Sequence, residues 1–247
     1  MTDPLLVIHP SPSRLVTITG GRLLTAVQDA LAARGEAHVA LTGGSMGSAV
    51  VAALADHAAH DAVDWSRVHF WWGDERYLPA GDAERNDAQN DEAGLRSLTP
   101  DPQNVHRVLG PDEVDSAEEA ARRYEEELRT HGSGTFDIVL LGVGPDGHVA
   151  SLFPGHPMQQ ETSGIAVAVH DSPKPPPTRV TLTAECLSRS RQVWFVVSGE
   201  DKAGAVAKGV AGAPAAQDST GLVRGQERTL WLVDEAAASD VEPAVSG

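Results

Sequence analysis

The sequence predicts an α/β protein built on a mostly parallel sheet flanked by helices. Short apolar runs alternate with amphipathic stretches throughout the chain, and this alternation is typical of strands joined by crossover helices. Several of the apolar runs end in glycine-rich turns, where such sheets place their ligands. With no internal repeat or linker, the 247 residues are expected to form one domain, 1–247, because single α/β units reach about this length.

The strands are predicted from short, apolar and largely β-branched runs. In chain order they are Leu5–His9, Val39–Leu41, Val68–Trp72, Phe136–Leu141, Ile165–Val169, Val193–Val197 and Leu230–Val233. Helical spacing of apolar residues predicts helices through Leu23–Leu31, from Met46 toward His60, and over Asp115–Arg129. The small, polar stretch Ala211–Gly221 is expected to be a loop, and the tail Ala236–Gly247 is expected to fray.

The composition excludes several classes of partner. A formal charge of −16 opposes binding to nucleic acid or to anionic membranes, since both require a concentrated basic face. No apolar run reaches the roughly 18 residues of a membrane span, and no secretory signal is recognisable. The one cysteine suits a reducing compartment. We therefore expect a cytoplasmic protein with a small-molecule substrate, no nucleic-acid or membrane partner, and no obligate protein partner.

The first informative turn is Thr42-Gly43-Gly44-Ser45, between a predicted strand and a predicted helix. Free backbone N–H groups at a helix N-terminus suit a phosphate. A nucleoside triphosphate is disfavoured, because the lysine of a Walker A loop is missing after Gly44. The alternative is a tight turn in which Ser45 is only the helix N-cap.

The second turn, Gly142-Val143-Gly144-Pro145-Asp146-Gly147, matches the dinucleotide pattern Gly-x-Gly-x-x-Gly. That pattern must open a crossover helix, and Pro154 and Pro157 interrupt the chain almost at once, so no NAD site is expected. The same turn presents Asp146 and His148, and a neutral imidazole can accept a proton from water. His148 is the candidate general base, although a lone histidine can also be purely structural.

Neither a metal site nor a cysteine nucleophile is predicted. Asp146, His148 and His156 could be called a ligand set, but no His-x-x-x-His or Cys pair supports one. Cys186 lies in Ala184-Glu185-Cys186-Leu187, which resembles a helix interior, so a packed thiol is the better interpretation. No cofactor is expected.

Three basic residues, Arg76, Arg179 and Lys202, stand at predicted element ends. Each could hold a phosphate, and the acidic chain needs local cations if its ligand is an anion. The alternative for each is a solvated surface charge. Their shared position at turns favours binding.

Five ordered motifs resemble the glucosamine-6-phosphate isomerase/6-phosphogluconolactonase family, and most closely its lactonases, over nearly the whole chain. They are Leu41-Thr42-Gly43-Gly44-Ser45, Trp72-Gly73-Asp74-Glu75-Arg76, Gly142–His148 with Ser151-Leu152-Phe153-Pro154, Lys174–Arg179 with Val180-Thr181-Leu182-Thr183, and Ser198-Gly199-Glu200-Asp201-Lys202-Ala203. The resemblance implies a Rossmann-like, three-layer fold, as in glucosamine-6-phosphate deaminase and ribose-5-phosphate isomerase. The family often has Ser-Asn where this chain has Arg85-Asn86, so a substrate role of that loop is less secure.

The resemblance further implies hydrolysis of 6-phospho-D-glucono-1,5-lactone without a metal, the second step of the oxidative pentose phosphate pathway. His148 would be the base and Asp146 would orient it. The residues expected to line or hold the substrate are Gly43, Gly44, Ser45, Asp74, Arg76, Arg179 and Lys202. Of these, Gly44, Ser45, Arg179 and Lys202 would anchor the phosphate, and Arg76 or backbone N–H groups would stabilise the oxyanion.

Two other functions remain open. In a related deaminase or sugar-phosphate isomerase, Asp74 would carry protons; deaminases, however, typically continue Gly-His with Ile-Gly-Phe-Asn-Glu-Pro, where this chain has Val149-Ala150-Ser151-Leu152-Phe153-Pro154. A sugar-phosphate-sensing transcription regulator would carry a basic helix-turn-helix segment, and this acidic chain begins directly with a strand.

Overall fold

The structure, a computed structural model, describes residues 3–242. Its strands are β1 (Leu5–His9), β2 (Ala37–Leu41), β3 (Val68–Trp72), β4 (Asp74–Arg76), β5 (Ile138–Leu141), β6 (Ala166–Val169), β7 (Arg179–Leu182), β8 (Gln192–Val197) and β9 (Arg228–Asp234). Its α-helices are α1 (Pro12–Arg34), α2 (Gly44–Ala55), α3 (Asn86–Ala93), α4 (Ala117–His131), α5 (Ala184–Ser188) and α6 (Ala203–Val210). Every strand predicted from the sequence is present, with slightly shifted ends.

The main sheet has six strands in the order β1-β9-β8-β5-β2-β3, and all neighbouring pairs are parallel. Its central strands are apolar on both faces because helices cover both; all four residues of β5 are buried. One core packs α1 and α2 against the sheet, with Leu23 and Leu54 among its members. A second core packs α4, α5 and α6 against the other face, around Tyr124 and Val206. The predicted three-layer α/β fold is confirmed.

A second, smaller sheet was not anticipated. β4, β7 and β6 form an antiparallel sheet in that order. The chain passes from β3 through Gly73 directly into β4, and Gly73 O accepts a hydrogen bond from Leu182 N at 2.8 Å. This sheet begins where the main sheet ends on its carboxyl side, so its strands extend the edge at which the predicted site residues lie.

The helix boundaries differ from the predictions, most clearly in α2. The helix predicted from Met46 toward His60 is α2, which starts at Gly44 and ends at Ala55. Its N-cap is Gly43, and no side chain caps it, so Ser45 is not the N-cap. Of the first-turn N–H groups of α2, that of Gly44 donates to Gln89 Oε1 at 3.2 Å, and the others receive no acceptor from the cap residue. No helix within residues 3–242 combines the length and apolar character needed to cross a membrane.

The stretch predicted as a loop, Ala211–Gly221, consists of turns and the start of the 3₁₀ helix Ser219–Leu222. The predicted fraying of the tail is wrong for its described part. Ala237 is buried, and its backbone N–H donates to Asp234 Oδ1 at 2.8 Å. Residues 243–247 lie outside the described residues.

Candidate active site

The sheet topology brings four of the predicted motifs to one edge. The turns after β8, β5, β2 and β3 leave the carboxyl ends of four consecutive parallel strands, which is where such sheets bind ligands. The Gly142–His148 turn follows β5 and therefore lies between the Gly43–Ser45 turn after β2 and the Ser198–Lys202 turn after β8.

His148 and Asp146 form a hydrogen-bonded pair in the central turn. His148 Nδ1 lies 2.6 Å from Asp146 Oδ1. A carboxylate only accepts hydrogen bonds, so the neutral imidazole carries its proton on Nδ1 and leaves the lone pair of Nε2 free. The turn is closed by hydrogen bonds from Gly144 N to His148 O and from Gly147 N to Gly144 O, both 2.9 Å.

The pair depends on a residue without a side chain at position 144. A Cβ built on Gly144 would lie 2.1 Å from both Cε1 and Nδ1 of His148 and 2.5 Å from Asp146 Oδ1. The imidazole occupies the space in which any other residue would place its side chain. The close approach, rather than an unusual φ, therefore explains why glycine is required here.

Lys174, from the segment before β7, contacts both members of the Asp146–His148 pair. Its Nζ lies 3.1 Å from Asp146 Oδ1 and 3.2 Å from His148 Nδ1. Because Nδ1 already donates to Asp146, we assign the lysine proton to the shared carboxylate. The Phe153 ring packs under the imidazole with the ring centroids 4.6 Å apart.

These surroundings set the charge states of both groups. Burial lowers the pKa of His148 below its ordinary value, and the repulsion of Lys174 acts in the same direction, against the attraction of Asp146. Burial works against ionisation of Asp146, but the hydrogen bonds and charges of His148 and Lys174 outweigh it and lower the pKa. The site therefore holds a neutral imidazole beside a carboxylate at neutral pH.

Asp74 lies at the start of the small sheet and is only 7 % exposed. Its Oδ2 accepts a hydrogen bond from Ser151 Oγ at 2.6 Å, and Asn86 Nδ2 lies 3.4 Å from its Oδ1 and donates to its backbone O at 2.8 Å. Both carboxylate oxygens thus have protein partners. These contacts favour a supporting role over proton transfer.

Two of the predicted cations face each other on the small sheet. The register of β4 and β7 pairs Arg76 with Arg179, and like charges directly opposite each other are unfavourable. Asp74 offsets part of this repulsion, because its Oδ2 lies 3.8 Å from Arg179 Nη1. Arg179 is buried and donates to the backbone carbonyls of Lys174, Pro175 and Pro176 at 3.1–3.3 Å. Arg76 donates through Nη1 to Glu84 O, and its buried Nε has no partner within residues 3–242.

The Gly43–Ser45 turn packs closely on Asn86, the residue that also contacts Asp74. A Cβ on Gly43 would lie 1.8 Å from Asn86 Oδ1, so only glycine fits here. Gly44 and Ser45 are exposed at the first turn of α2. Lys202, after β8, contacts Asp201 Oδ2 at 2.7 Å, and its side chain is 25 % exposed. No hydrogen bond or ion pair within residues 3–242 joins Lys202 to the His148 turn, so its place in the site rests on the strand order.

In the Arg85-Asn86 loop, whose role the sequence left uncertain, Arg85 has a structural role. Arg85 is 1 % exposed and makes two hydrogen bonds to Asp87, at 2.9 and 3.0 Å. It also donates to the carbonyls of Leu78 and Val108. These buried contacts of Arg85 fix the start of α3 and therefore the position of Asn86, its first residue.

The structure also bears on the dinucleotide pattern, on Cys186 and on His156, which the sequence analysis considered. Turns follow Gly147 up to a short 3₁₀ helix at Pro157–Gln160, so no crossover helix opens on the glycine pattern, as predicted. Burial raises the pKa of the Cys186 thiol to about 12, in agreement with a packed thiol. His156 contacts the carbonyl of His170 rather than His148.

Sequence reasoning did not assign Lys174 or Ser151 to the site, and it left the role of Asn86 open. Lys174 and Ser151 lie in motifs that were singled out, but their partners are 28 and 77 residues away. The spacing of residues along the sequence does not reveal partners that lie so far apart in the chain. The three residues become visible only when the small sheet is formed.

The structure is an α/β protein with a hydrogen-bonded histidine–aspartate pair, His148 and Asp146, at the carboxyl edge of a parallel sheet. Residues 10–231 match the family model described as glucosamine-6-phosphate isomerases/6-phosphogluconolactonase. The chain belongs to this family.

The chain can also be compared with individual proteins of known name or structure. The chain is 47 % identical to a 6-phosphogluconolactonase of Streptomyces coelicolor, over 98 % of this chain and 96 % of that protein. The solved 6-phosphogluconolactonase of Thermotoga maritima superimposes with a TM-score of 0.83 at 27 % identity, covering 94 % of this chain and 100 % of that one. A monomeric glucosamine-6-phosphate deaminase has a TM-score of 0.81 at 19 % identity, covering 96 % and 99 %. At that identity the last comparison establishes the shared fold alone.

Proposed function

We propose that this chain hydrolyses 6-phospho-D-glucono-1,5-lactone to 6-phospho-D-gluconate, a carboxylic ester hydrolysis in the oxidative pentose phosphate pathway. The observation that carries the proposal is the Asp146–His148 pair, which leaves Nε2 of a neutral imidazole free as a base. The relatives at more than 40 % identity carry the name 6-phosphogluconolactonase. We further propose that the enzyme works in the cytoplasm.

The chemical steps follow from this pair. His148 Nε2 takes a proton from water as the water oxygen attacks C1 of the lactone. The tetrahedral intermediate then breaks its bond between C1 and the ring oxygen, and the imidazolium returns the proton to that oxygen. Asp146 accepts the Nδ1–H bond throughout and thereby stabilises the imidazolium that forms in between.

The substrate phosphate needs local cations, because the chain as a whole carries a charge of −16. We assign it to Lys202, to the exposed first turn of α2 at Gly44 and Ser45, and to the Arg76–Arg179 pair. Arg76 has a buried Nε without a partner in residues 3–242, whereas the Arg179 guanidinium already holds the carbonyls of the Lys174–Pro176 loop. Arg76 is therefore the freer of the two arginines, and Arg179 also shapes the pocket wall.

The test measures lactone opening above its spontaneous rate and compares His148→Ala with His156→Ala. His148→Ala should lower kcat by about a hundredfold or more, the loss expected for a missing general base, with KM mostly unchanged. His156→Ala, a matched change in the same loop, should keep activity. Equal activity of wild type and His148→Ala would refute the assignment.

The deaminase alternative is tested on the same preparation. Glucosamine 6-phosphate should not be converted to fructose 6-phosphate and ammonia, because the carboxylate of Asp74 is held by Ser151 and Asn86. Release of ammonia by the wild type, abolished in Asp74→Asn, together with lactone opening only at the spontaneous rate, would replace the lactonase proposal with the deaminase.

A further inference from the structure

Four histidines and two glutamates form a continuous cluster at the opposite end of the sheet from the active site. Its members are Glu36, His38, His69, His106, Glu127 and His131. The parallel register of β2 and β3 pairs His38 with His69, and their rings stack with the centroids 4.4 Å apart. We name this set the histidine cluster.

One part of the histidine cluster has the composition and spacing of a metal site. One oxygen of Glu36 and one ring nitrogen each of His38 and His69 lie within 4.8 Å of one another. No other group of three such residues within residues 3–242 meets this spacing. Imidazole and carboxylate ligands together suit zinc and neighbouring divalent transition metals.

The hydrogen bonds determine which nitrogens are available. His106 Nδ1 lies 2.8 Å from Glu127 Oε1, and a carboxylate only accepts, so His106 donates through Nδ1 and accepts through Nε2. That Nε2 lies 3.0 Å from His69 Nδ1, so His69 donates through Nδ1. The neutral His69 ring therefore presents the lone pair of Nε2, which receives no hydrogen bond within residues 3–242.

His38 has the opposite arrangement. Trp71 Nε1 donates to His38 Nδ1 at 3.2 Å, so the proton of the neutral His38 ring is on Nε2, which lies 3.5 Å from Glu36 Oε1. A metal ion on Nε2 moves this proton to Nδ1 and breaks the bond from Trp71. Binding is therefore coupled to a change of tautomer at His38.

We propose that Glu36, His38 and His69 form a binding site for a divalent transition metal of the zinc class, remote from the reacting centre. A tetrahedral zinc ion holds its ligand atoms about 3.4 Å apart, from bond lengths near 2.1 Å. The stacked His38 and His69 rings must therefore tilt to direct both lone pairs at one ion, and the three groups must close by up to about 1.4 Å. Glu36 can do so because its side chain is 51 % exposed, and this exposure also gives the ion an entry path. Water completes the coordination.

The site is expected to stabilise the protein and not to take part in catalysis. His38 and Gly43 are five residues apart along β2 and the turn that follows it, or about 16 Å at the rise of a strand. An ion at His38 and His69 links two neighbouring strands of the main sheet, and an ion that binds only the folded chain raises Tm by mass action.

The experiment titrates Zn²⁺ into the purified chain by calorimetry and follows Tm, with Glu36→Gln, His69→Gln and His170→Gln as variants. His170→Gln is the matched control, because it removes another histidine bonded to a glutamate, Glu118, at 2.6 Å. Wild type and His170→Gln should bind one equivalent at the histidine cluster and gain roughly 5–10 °C in Tm at a hundredfold excess over Kd. Glu36→Gln and His69→Gln should weaken this binding more than tenfold.

Long-range ¹H–¹⁵N NMR of the histidine rings gives a second readout. Before zinc, His38 should carry its proton on Nε2 and His69 on Nδ1; with zinc, His38 should change to the Nδ1–H form while His106 stays unchanged. The proposal is overturned if the wild type binds no zinc, if Glu36→Gln and His69→Gln bind it as wild type does, or if His170→Gln loses the same equivalent. It is also overturned if His38 keeps its tautomer at saturating zinc.

Discussion

Gly144→Ala tests whether the position of the His148 ring controls turnover. The added Cβ would lie 2.1 Å from Cε1 and Nδ1 of His148, whereas carbon atoms in contact stay about 3.5 Å apart. The ring, or the turn that carries it, must therefore move by about 1.4 Å, the difference between these two distances. Asp146 Oδ1, at 2.5 Å from the same Cβ, must move as well.

A displacement of this size breaks the 2.6 Å bond that fixes the imidazole tautomer. Misplacement of a catalytic group by about 1 Å costs roughly a hundredfold in rate, and complete loss of a general base costs about a hundredfold to ten-thousandfold. We therefore expect kcat of Gly144→Ala to fall by about a hundredfold or more. KM should change little, since the residues proposed to bind the phosphate lie on other turns.

The assay measures initial rates of lactone opening, corrected for the spontaneous reaction, next to a urea denaturation curve. Gly142→Ala is the matched control, because its Cβ would meet its nearest neighbour, Thr42 Oγ1, at 3.9 Å, an ordinary contact. Gly142→Ala should keep wild-type turnover. If Gly144→Ala is folded and as active as Gly142→Ala, the close packing of His148 on residue 144 has no catalytic consequence and the reasoning is refuted.

Three further predictions follow. Lys174→Met removes a cation that lowers the pKa of His148, so the acid limb of the kcat/KM profile, where the base becomes protonated, should move to higher pH; an unchanged or lower limb would contradict this. Lys202→Ala should weaken the preference for the phosphorylated lactone over gluconolactone, and an equal preference in both enzymes would remove Lys202 from the phosphate site. Arg85→Ala removes the buried ion-pair partner of Glu75 and Asp87, although Arg107 still lies 3.3 Å from Asp87, and should cost about 3 kcal/mol of unfolding free energy. The exposed Arg122→Ala should leave the urea midpoint nearly unchanged, and equal midpoints of the two variants would disprove the prediction.

The main sheet could be predicted because its signal is local. A run such as Ile138–Leu141 is apolar on both faces only when helices cover both. The glycine turns then placed the candidate site at the carboxyl edge, where the structure has the motifs after β2, β3, β5 and β8.

The small sheet could not be predicted in the same way. β4 is Asp74-Glu75-Arg76, a polar sequence, yet Asp74 and Glu75 are buried. Its polar groups are tolerated inside only because partners distant in sequence satisfy them, including Ser151 for Asp74. Local propensity contains no information on those partners, and the histidine cluster escaped notice for the same reason, since His38 and His69 meet only through strand register.

Asp146 contributes to the site through geometry rather than through the strength of its ion pair. Its side chain is 40 % exposed and that of Lys174 is 36 % exposed, and exposed pairs contribute about 0–1 kcal/mol to stability. What the carboxylate does fix is the tautomer, because Nδ1–H must donate to it and Nε2 is then unprotonated, as the proposed role of general base requires. Burial lowers the pKa of His148 while Asp146 opposes that effect, so the base stays neutral at neutral pH and its conjugate acid is still stabilised when it forms. An acceptor placed on Nδ1 therefore determines the tautomer of this ring and also opposes the lowering of its pKa.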